Sequence, residues 1–241
     1  MAIPIDRIID KLDRLLSSDK SRDAEELLIY WLGEAENDND LSGALSILNE
    51  QIGFYRRYYD EDKGLKAIDS ALDKMTKIGE QASFSTFYVN IATTYKAFGK
   101  LVEATNNYTI AEELFVKYER TDTYEYAAYL NNVGTLYSEL GLLVSARISF
   151  EKAIDILEHL GSEQAQIAIS YVNIAELTDA SEEKIEKCLD LAWEYINKAP
   201  FPRGGDYAFV CEKLAPSFEK FGRTYEAKAL RDVAGEIYDR S

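Results

Sequence analysis

The sequence predicts an all-α chain of about six antiparallel helix hairpins stacked as an α-solenoid. Three observations carry that expectation. Ala, Leu, Ile, Glu and Lys dominate the 241 residues, with only 4 prolines and 13 glycines, a composition that favours helix. A motif recurs as F-Y-V-N-I-A-T-T-Y around Asn90, Y-L-N-N-V-G-T-L-Y around Asn132 and S-Y-V-N-I-A-E-L-T around Asn173, at spacings of 42 and 41 residues. Around each copy, apolar and small residues follow helical spacing. A period of this length marks stacked repeats instead of a single globular core.

The elements follow in chain order. Ile5, Ile8, Ile9, Leu12, Leu15 and Leu16 form one amphipathic stripe, and Ala24, Leu27, Leu28, Trp31 and Leu32 form the next. The polar run S-S-D-K-S-R-D joins them, and Glu36 to Asp40 is a polar joint. The second hairpin carries Tyr55, Tyr58, Ala67, Ala71 and Gly79, and the third Ala92, Tyr95, Gly99, Ala104 and Ala111. The fourth is the clearest. Tyr126, Tyr129, Leu130, Val133, Gly134 and Tyr137 make a helix that Gly141 ends, and Ala146, Phe150, Ala153, Ile154 and Leu157 make a second that Gly161 closes. The fifth is less regular: its turn reads T-D-A-S-E-E-K, with one extra residue before Cys188, Leu191 and Ala192. Ser181 followed by Glu182 and Glu183 is a sound helix start. K-A-P-F-P-R-G-G-D, from Lys198 to Asp206, is a longer loop, after which Ala215, Phe218, Gly222, Ala227 and Ala234 complete the sixth hairpin. The expectation is twelve helices and no strands, with residues 1–39 as a capping hairpin and repeats over 40–80, 81–121, 122–161, 162–201 and 202–241.

Composition also narrows function. The formal charge of −16 opposes non-specific nucleic-acid binding and docking on anionic membranes, and favours a basic or neutral protein partner. Cys188 and Cys211 have no metal-type spacing and read as inert core residues, and His159 is the single histidine. The N-terminal residues hold no continuous apolar run, so neither a signal peptide nor a membrane span is expected, and the chain reads as cytoplasmic. The 17 tyrosines suit a shallow core that keeps hydroxyls wet. No phosphate loop, nucleophile elbow or metal quartet is present, so no enzymatic activity and no cofactor are expected.

Gly134, Tyr137, Gly141, Ala146, Phe150 and Ala153 resemble the tetratricopeptide repeat (TPR) family, and the long period is like its kinesin-light-chain-like and Rap-like bacterial branches. L-N-E-Q-I-G-F-Y-R at Leu48 to Arg56 and Y-A-F-V-C-E-K-L-A-P-S-F at Tyr207 to Phe218, with the N-terminal hairpin, also look like uncharacterised TPR proteins of Gram-positive gut-type bacteria. The resemblance covers about residues 40–241. It implies a right-handed superhelix whose first helices line a concave groove for an extended peptide or partner helix.

At about 100° per residue, Asn132 faces away from the packing positions Leu130, Val133, Gly134 and Tyr137 of its own helix. Its equivalents are Gly53, Asn90, Asn173 and Lys213. Four residues earlier stand Asn49, Thr86, Ala128, Ile169 and Phe209, and three later Arg56, Thr93, Thr135, Glu176 and Pro216. An amide carries both donors and an acceptor, so a row of asparagines can hold a peptide backbone without reading its side chains. The candidate peptide-binding residues are therefore Asn49, Asn90, Asn132, Asn173, Lys213, Thr86, Thr93, Thr135 and Arg56. The ladder resembles that of carboxylate-clamp TPR proteins, in which Asn90, Asn132, Asn173 and Lys213 would hold a terminal carboxylate. The clamp's basic residue is missing four positions earlier, where Thr86, Ala128 and Ile169 stand. The same asparagines also suit inter-repeat bonding that sets superhelical pitch. Arg56 and Arg57, among Tyr55, Tyr58 and Tyr59, either grip an acidic partner or pair with Asp60 and Glu61.

The functional expectation is an adaptor that binds a protein or peptide, and not nucleic acid or membrane. A receptor for a signalling peptide and a self-associating repeat, dimeric through one end of the stack, are the alternatives.

Overall fold

A computed structural model describes residues 3–161, 163–200 and 202–239. Phe201 of the expected loop, Ser162 at a repeat boundary and the closing Arg240 and Ser241 lie outside the described residues. Among the described residues there are twelve helices and no strands: α1 Ile5–Ser17, α2 Ser21–Asn37, α3 Leu41–Arg57, α4 Glu61–Ile78, α5 Phe84–Ala97, α6 Leu101–Lys117, α7 Tyr124–Glu139, α8 Leu143–Leu160, α9 Gln164–Ala175, α10 Glu182–Lys198, α11 Gly205–Lys220 and α12 Thr224–Tyr238. They pair as hairpins in an α-solenoid arrangement, and the chain divides into two compact units, residues 1–118 and 119–241.

In the first unit, α1, α3 and α5 pack on one another in turn, each also packing on its hairpin partner. Ile8, Leu28, Ile47, Leu48, Ile52, Ile68 and Ile91 fill the centre. The second unit repeats the scheme, with α9 between α7 and α11 and with Leu136, Phe150, Leu157, Leu189, Leu214 and Phe218 buried. The alanines at 104, 111, 146, 153, 227 and 234 are all buried. A small side chain there lets neighbouring helices approach closely, which larger residues would prevent.

Three-residue turns join most first helices to their partners, and each contains one residue with positive φ. Gly99, Gly141 and Gly222 take that position, but so do Asp19 and Tyr59. At Gly141 the backbone closes with Gly141 N–H donating to Ser138 O at 3.0 Å and Leu142 N–H to Tyr137 O at 2.8 Å. Tyr59 repeats this with bonds to Arg56 O and from Asp60 N to Tyr55 O, at φ +54° and with its ring 77% exposed. A Cβ in the left-handed region costs about 1–2 kcal/mol. Tyr59→Gly is therefore expected to raise stability by about 1 kcal/mol, read as a later urea midpoint; an unchanged or earlier midpoint would show that the ring contributes packing of equal worth.

The joints differ from the sequence reading in detail. α2 begins at Ser21, inside the run expected to be loop, and extends to Asn37, inside the expected polar joint. The α9–α10 connection covers residues 176–181 because α9 ends after 12 residues. Ser181 caps α10 by accepting from Lys184 N–H, as expected. The tyrosines do not all keep wet hydroxyls. Tyr108 and Tyr129 are fully buried, and the Tyr108 hydroxyl meets Thr93 Oγ1 at 2.9 Å.

Asp40 ties the N-terminal entry to α3. One carboxylate oxygen accepts from Gly43 N–H at 2.9 Å as the α3 cap, and the other from Ile3 N–H at 3.0 Å. These backbone donors, Gly43 first, hold its pKa below the usual carboxylate value. A depressed folded value means the stabilisation is present above the unfolded value of about 3.9 and is lost as pH falls through the folded one. Asp40→Ala is expected to cost about 1 kcal/mol at neutral pH, with the difference from wild type shrinking in acid denaturation series. A difference independent of pH would refute a charge-based role.

Candidate functional site

The first unit carries a groove across α1, α3 and α5. It encloses about 710 Å³ and is lined by Ile5 and Ile9 from α1, Leu41, Ser42, Leu45, Ser46, Asn49 and Glu50 from α3, Phe84, Thr86, Phe87 and Asn90 from α5, and Ile78, Gln81 and Ser83 before α5. The geometry follows from helical spacing. Ile5 and Ile9, and Ser42, Ser46 and Asn49, are three or four residues apart and so share a face. Apolar side chains from all three helices line the groove, and Asn49, Thr86 and Asn90 make a polar line among them.

A chain of hydrogen bonds crosses this polar line. Arg56 Nη1 donates to Asn90 Oδ1 at 2.5 Å, to Asn90 O at 3.3 Å and to Thr94 Oγ1 at 3.1 Å. Asn90 Nδ2 then donates to Asn49 Oδ1 at 2.9 Å and to Asn49 O at 3.0 Å. Glu50 follows Asn49 on α3 and lines the same groove. Burial lowers the Arg56 pKa, opposed by nearby Tyr108. Burial raises that of Glu50, with the Asn49 amide opposing and Asp13 of α1 adding to the rise.

The structure thus divides the sequence-derived residues. Asn49, Thr86 and Asn90 line one groove. Arg56 holds Asn90 and Thr94 in the next hairpin; it pairs with neither Asp60 nor Glu61, which serve Lys63 and Lys100. That corrects the expected local ion pair: Arg56 lies at the inner end of α3, where the α5 amide is nearer than the α4 acids. Thr93 is engaged inside its own hairpin through Val89 O and the Tyr108 hydroxyl. In the second unit, Asn132 is half-buried and donates to Ala128 O of its own helix at 3.0 Å, and Thr135 donates to Asn132 O at 2.7 Å. Asn173 is half-buried and Lys213 exposed. Between first helices this unit is bonded by Asn131, whose Oδ1 accepts from the buried Ser170 hydroxyl at 3.0 Å, and by Ser217, whose hydroxyl donates to Glu176 Oε1 at 2.7 Å. Sequence reasoning passed over Asn131 because its neighbour matched the ladder; one residue is 100° on a helix, enough to turn an amide from the face to the seam.

Sequence reasoning also missed an ion ladder on the second helices. Lys63 meets Glu25 at 2.8 Å, Lys74 meets Glu36 at 2.7 Å, Lys100 meets Glu61 at 3.0 Å, and Lys117 pairs with Glu80. In the second unit Arg223 meets Glu186 at 3.1 Å and Asp190 at 2.9 Å. In each pair the cation comes from the later hairpin. Acid and base separated by 37 to 39 residues in the first unit was the available signal. Exposed pairs are individually weak, but repeated ones favour one register between second helices.

Cys188 and Cys211 are free and buried. Burial pushes the Cys211 thiol up to about 11, so neither is a ready nucleophile. Among the described residues, no cluster of His, Cys, Asp and Glu is placed to hold a metal, and no helix is long and apolar enough to cross a membrane.

Residues 83–159 match the sequence profile of the tetratricopeptide repeat. That stretch of the chain is similar to tetratricopeptide repeats. Among solved structures, BtubC (BKLC) from P. vanneervenii superposes with a TM-score of 0.63 at 17% identity, over 99% of this chain and 92% of that one. The nearly identical TPR-like repeats of a candidate kinesin light chain from Podosopora anserina give 0.54 at 16% identity, over 80% and 94%. At such identities these likenesses show the TPR-type fold. No curated protein matches the sequence. TPR repeats generally mediate protein–protein interactions, and the TPR fold is typically a non-enzymatic scaffold.

Proposed function

We propose that the protein is an interaction adaptor that holds an extended peptide or partner helix against its first helices, in the α1–α3–α5 groove. The observation that carries this reading is the groove itself: an open space of about 710 Å³ whose lining sets Asn49, Thr86 and Asn90 among apolar side chains. Its volume lies in the range of binding clefts, about 300–1,000 Å³, and apolar pockets beside a line of amides suit a peptide whose side chains alternate between groove and solvent. Asn132, Thr135, Asn173 and Lys213 form the corresponding row of the second unit. Residues 1–39 act as a cap and 40–241 as five repeats. The protein is a cytoplasmic, bacterial scaffold that works without a cofactor.

Ser46 lines the groove and is only half-buried, so Ser46→Trp fills the space at little cost to the core. A library of short random peptides displayed on phage is expected to yield enriched sequences with the wild type and none with Ser46→Trp, while circular dichroism shows equal helicity. Enrichment indifferent to the tryptophan would refute the groove as the site.

A further inference from the structure

The groove has a charge preference that the fold itself does not demand. Glu50 lines it, half-buried, and among the described residues no lysine, arginine or histidine pairs with it. Among the described residues, no basic side chain lines the groove. Six cations of this unit are committed elsewhere: Arg22, Lys63, Lys74, Lys77, Lys100 and Lys117 form their ion pairs on α2, α4 and α6 or the turns flanking them. Arg56, the one guanidinium near the polar line, is directed at Asn90 and Thr94. On α1, Asp13 extends the Ile5–Ile9 stripe by one further turn, and its charge reaches Glu50.

We propose that the partner segment is basic: a lysine or arginine side chain lays its methylenes along Ile5, Ile9 and Leu45 and sets its charged head on the Glu50 carboxylate, with Asp13 adding attraction. This rests on the groove reading above and names the chemistry of its occupant. A long basic side chain suits the site because its stem is apolar and its head charged, matching an apolar wall that ends in an acid. A partly buried carboxylate gains more from a cation than one in open water, and the chain's net charge of −16 draws a basic partner from a distance. An acidic or carboxylate-terminated peptide meets repulsion here instead.

The test uses the full chain, the same phage-displayed random peptides, and synthetic versions of the enriched sequences. Wild type is expected to enrich peptides with lysine or arginine at one fixed place among apolar residues. Replacing that residue by glutamine should weaken binding by about tenfold in fluorescence anisotropy, the scale of one charged hydrogen bond, and Glu50→Gln should remove the difference. A wild-type selection without a fixed basic residue, or a basic preference that survives Glu50→Gln, overturns this inference and leaves the groove standing. Enrichment that survives Ser46→Trp, or no enrichment by the wild type, overturns both. Circular dichroism and urea midpoints of Glu50→Gln check that it folds; if it does not, Asp13→Asn takes its place, with the lysine-over-glutamine ratio expected to fall and an unchanged ratio counting against the proposal.

Discussion

Phe150→Ala is expected to lower the stability of the second unit by about 3–5 kcal/mol, seen as an earlier urea midpoint for that unit. Phe150 is fully buried in α8, and its ring lies over Gly134 of α7. A Cβ built at Gly134 would sit 2.5 Å from Phe150 Cε1 and 2.9 Å from Cδ1, so the glycine makes room for the ring. Gly134→Ala is therefore expected to cost about 1–3 kcal/mol of overpacking, although alanine in an unconstrained helix would gain about 1 kcal/mol. The two losses should not add. In Gly134→Ala/Phe150→Leu, the smaller side chain vacates space for the new methyl, and the double variant should be more stable than the sum of the singles predicts. Strict additivity would mean that the glycine serves some other purpose.

Asn90→Ala should cost about 1–3 kcal/mol, because it removes one of three acceptors of Arg56 and leaves the half-buried Asn49 amide oxygen without its donor. Asn132→Ala should change stability by no more than about 0.5 kcal/mol, since Asn132 bonds only the carbonyl of Ala128 in its own helix. The contrast is measured by urea denaturation of both variants side by side. Equal, small losses would show that the Arg56–Asn90–Asn49 chain contributes nothing to the seam. The result also governs how binding is read. A partner lost on Asn90→Ala could be lost through a loosened groove, whereas Asn132→Ala and Asn173→Ala test ligand contact on a scaffold left intact.

The three asparagines found by alignment are thus not equivalent. Asn90 meets a polar neighbour from the preceding hairpin, Asn49, and an arginine beside it. The Asn132 amide instead turns back on its own helix. The seam bonds of the second unit's first helices are made by Asn131 with Ser170 and by Glu176 with Ser217. Repeat alignment puts residues at equivalent backbone positions, but the hydrogen bond each makes depends on what the adjoining hairpin offers, which differs at every step. Tyr59 makes the same point in reverse. Its turn follows the glycine turns in backbone geometry, yet nothing in the residue type announces a positive φ. The turn's three-residue length and the closing bonds of the helices on either side impose it.

By itself the sequence determined the class of fold, the count of helices, the glycine-ended turns at Gly99, Gly141 and Gly222, the small-residue packing at Gly134, and the helix start at Ser181. These are encoded locally and repeatedly: a 3.6-residue pattern and a 42-residue period leave a signal in every turn of helix, and an error at one residue does not erase it. Only the tertiary structure decided which asparagine serves the seam, that Arg56 binds an amide instead of an acid, that Lys63, Lys74, Lys100 and Lys117 pair along the second helices, and that among the described residues no cation meets Glu50 in the groove of α1, α3 and α5. Those outcomes turn on distances of about 3 Å between side chains some forty residues apart, where one residue of register rotates a side chain by 100° and changes its partner altogether.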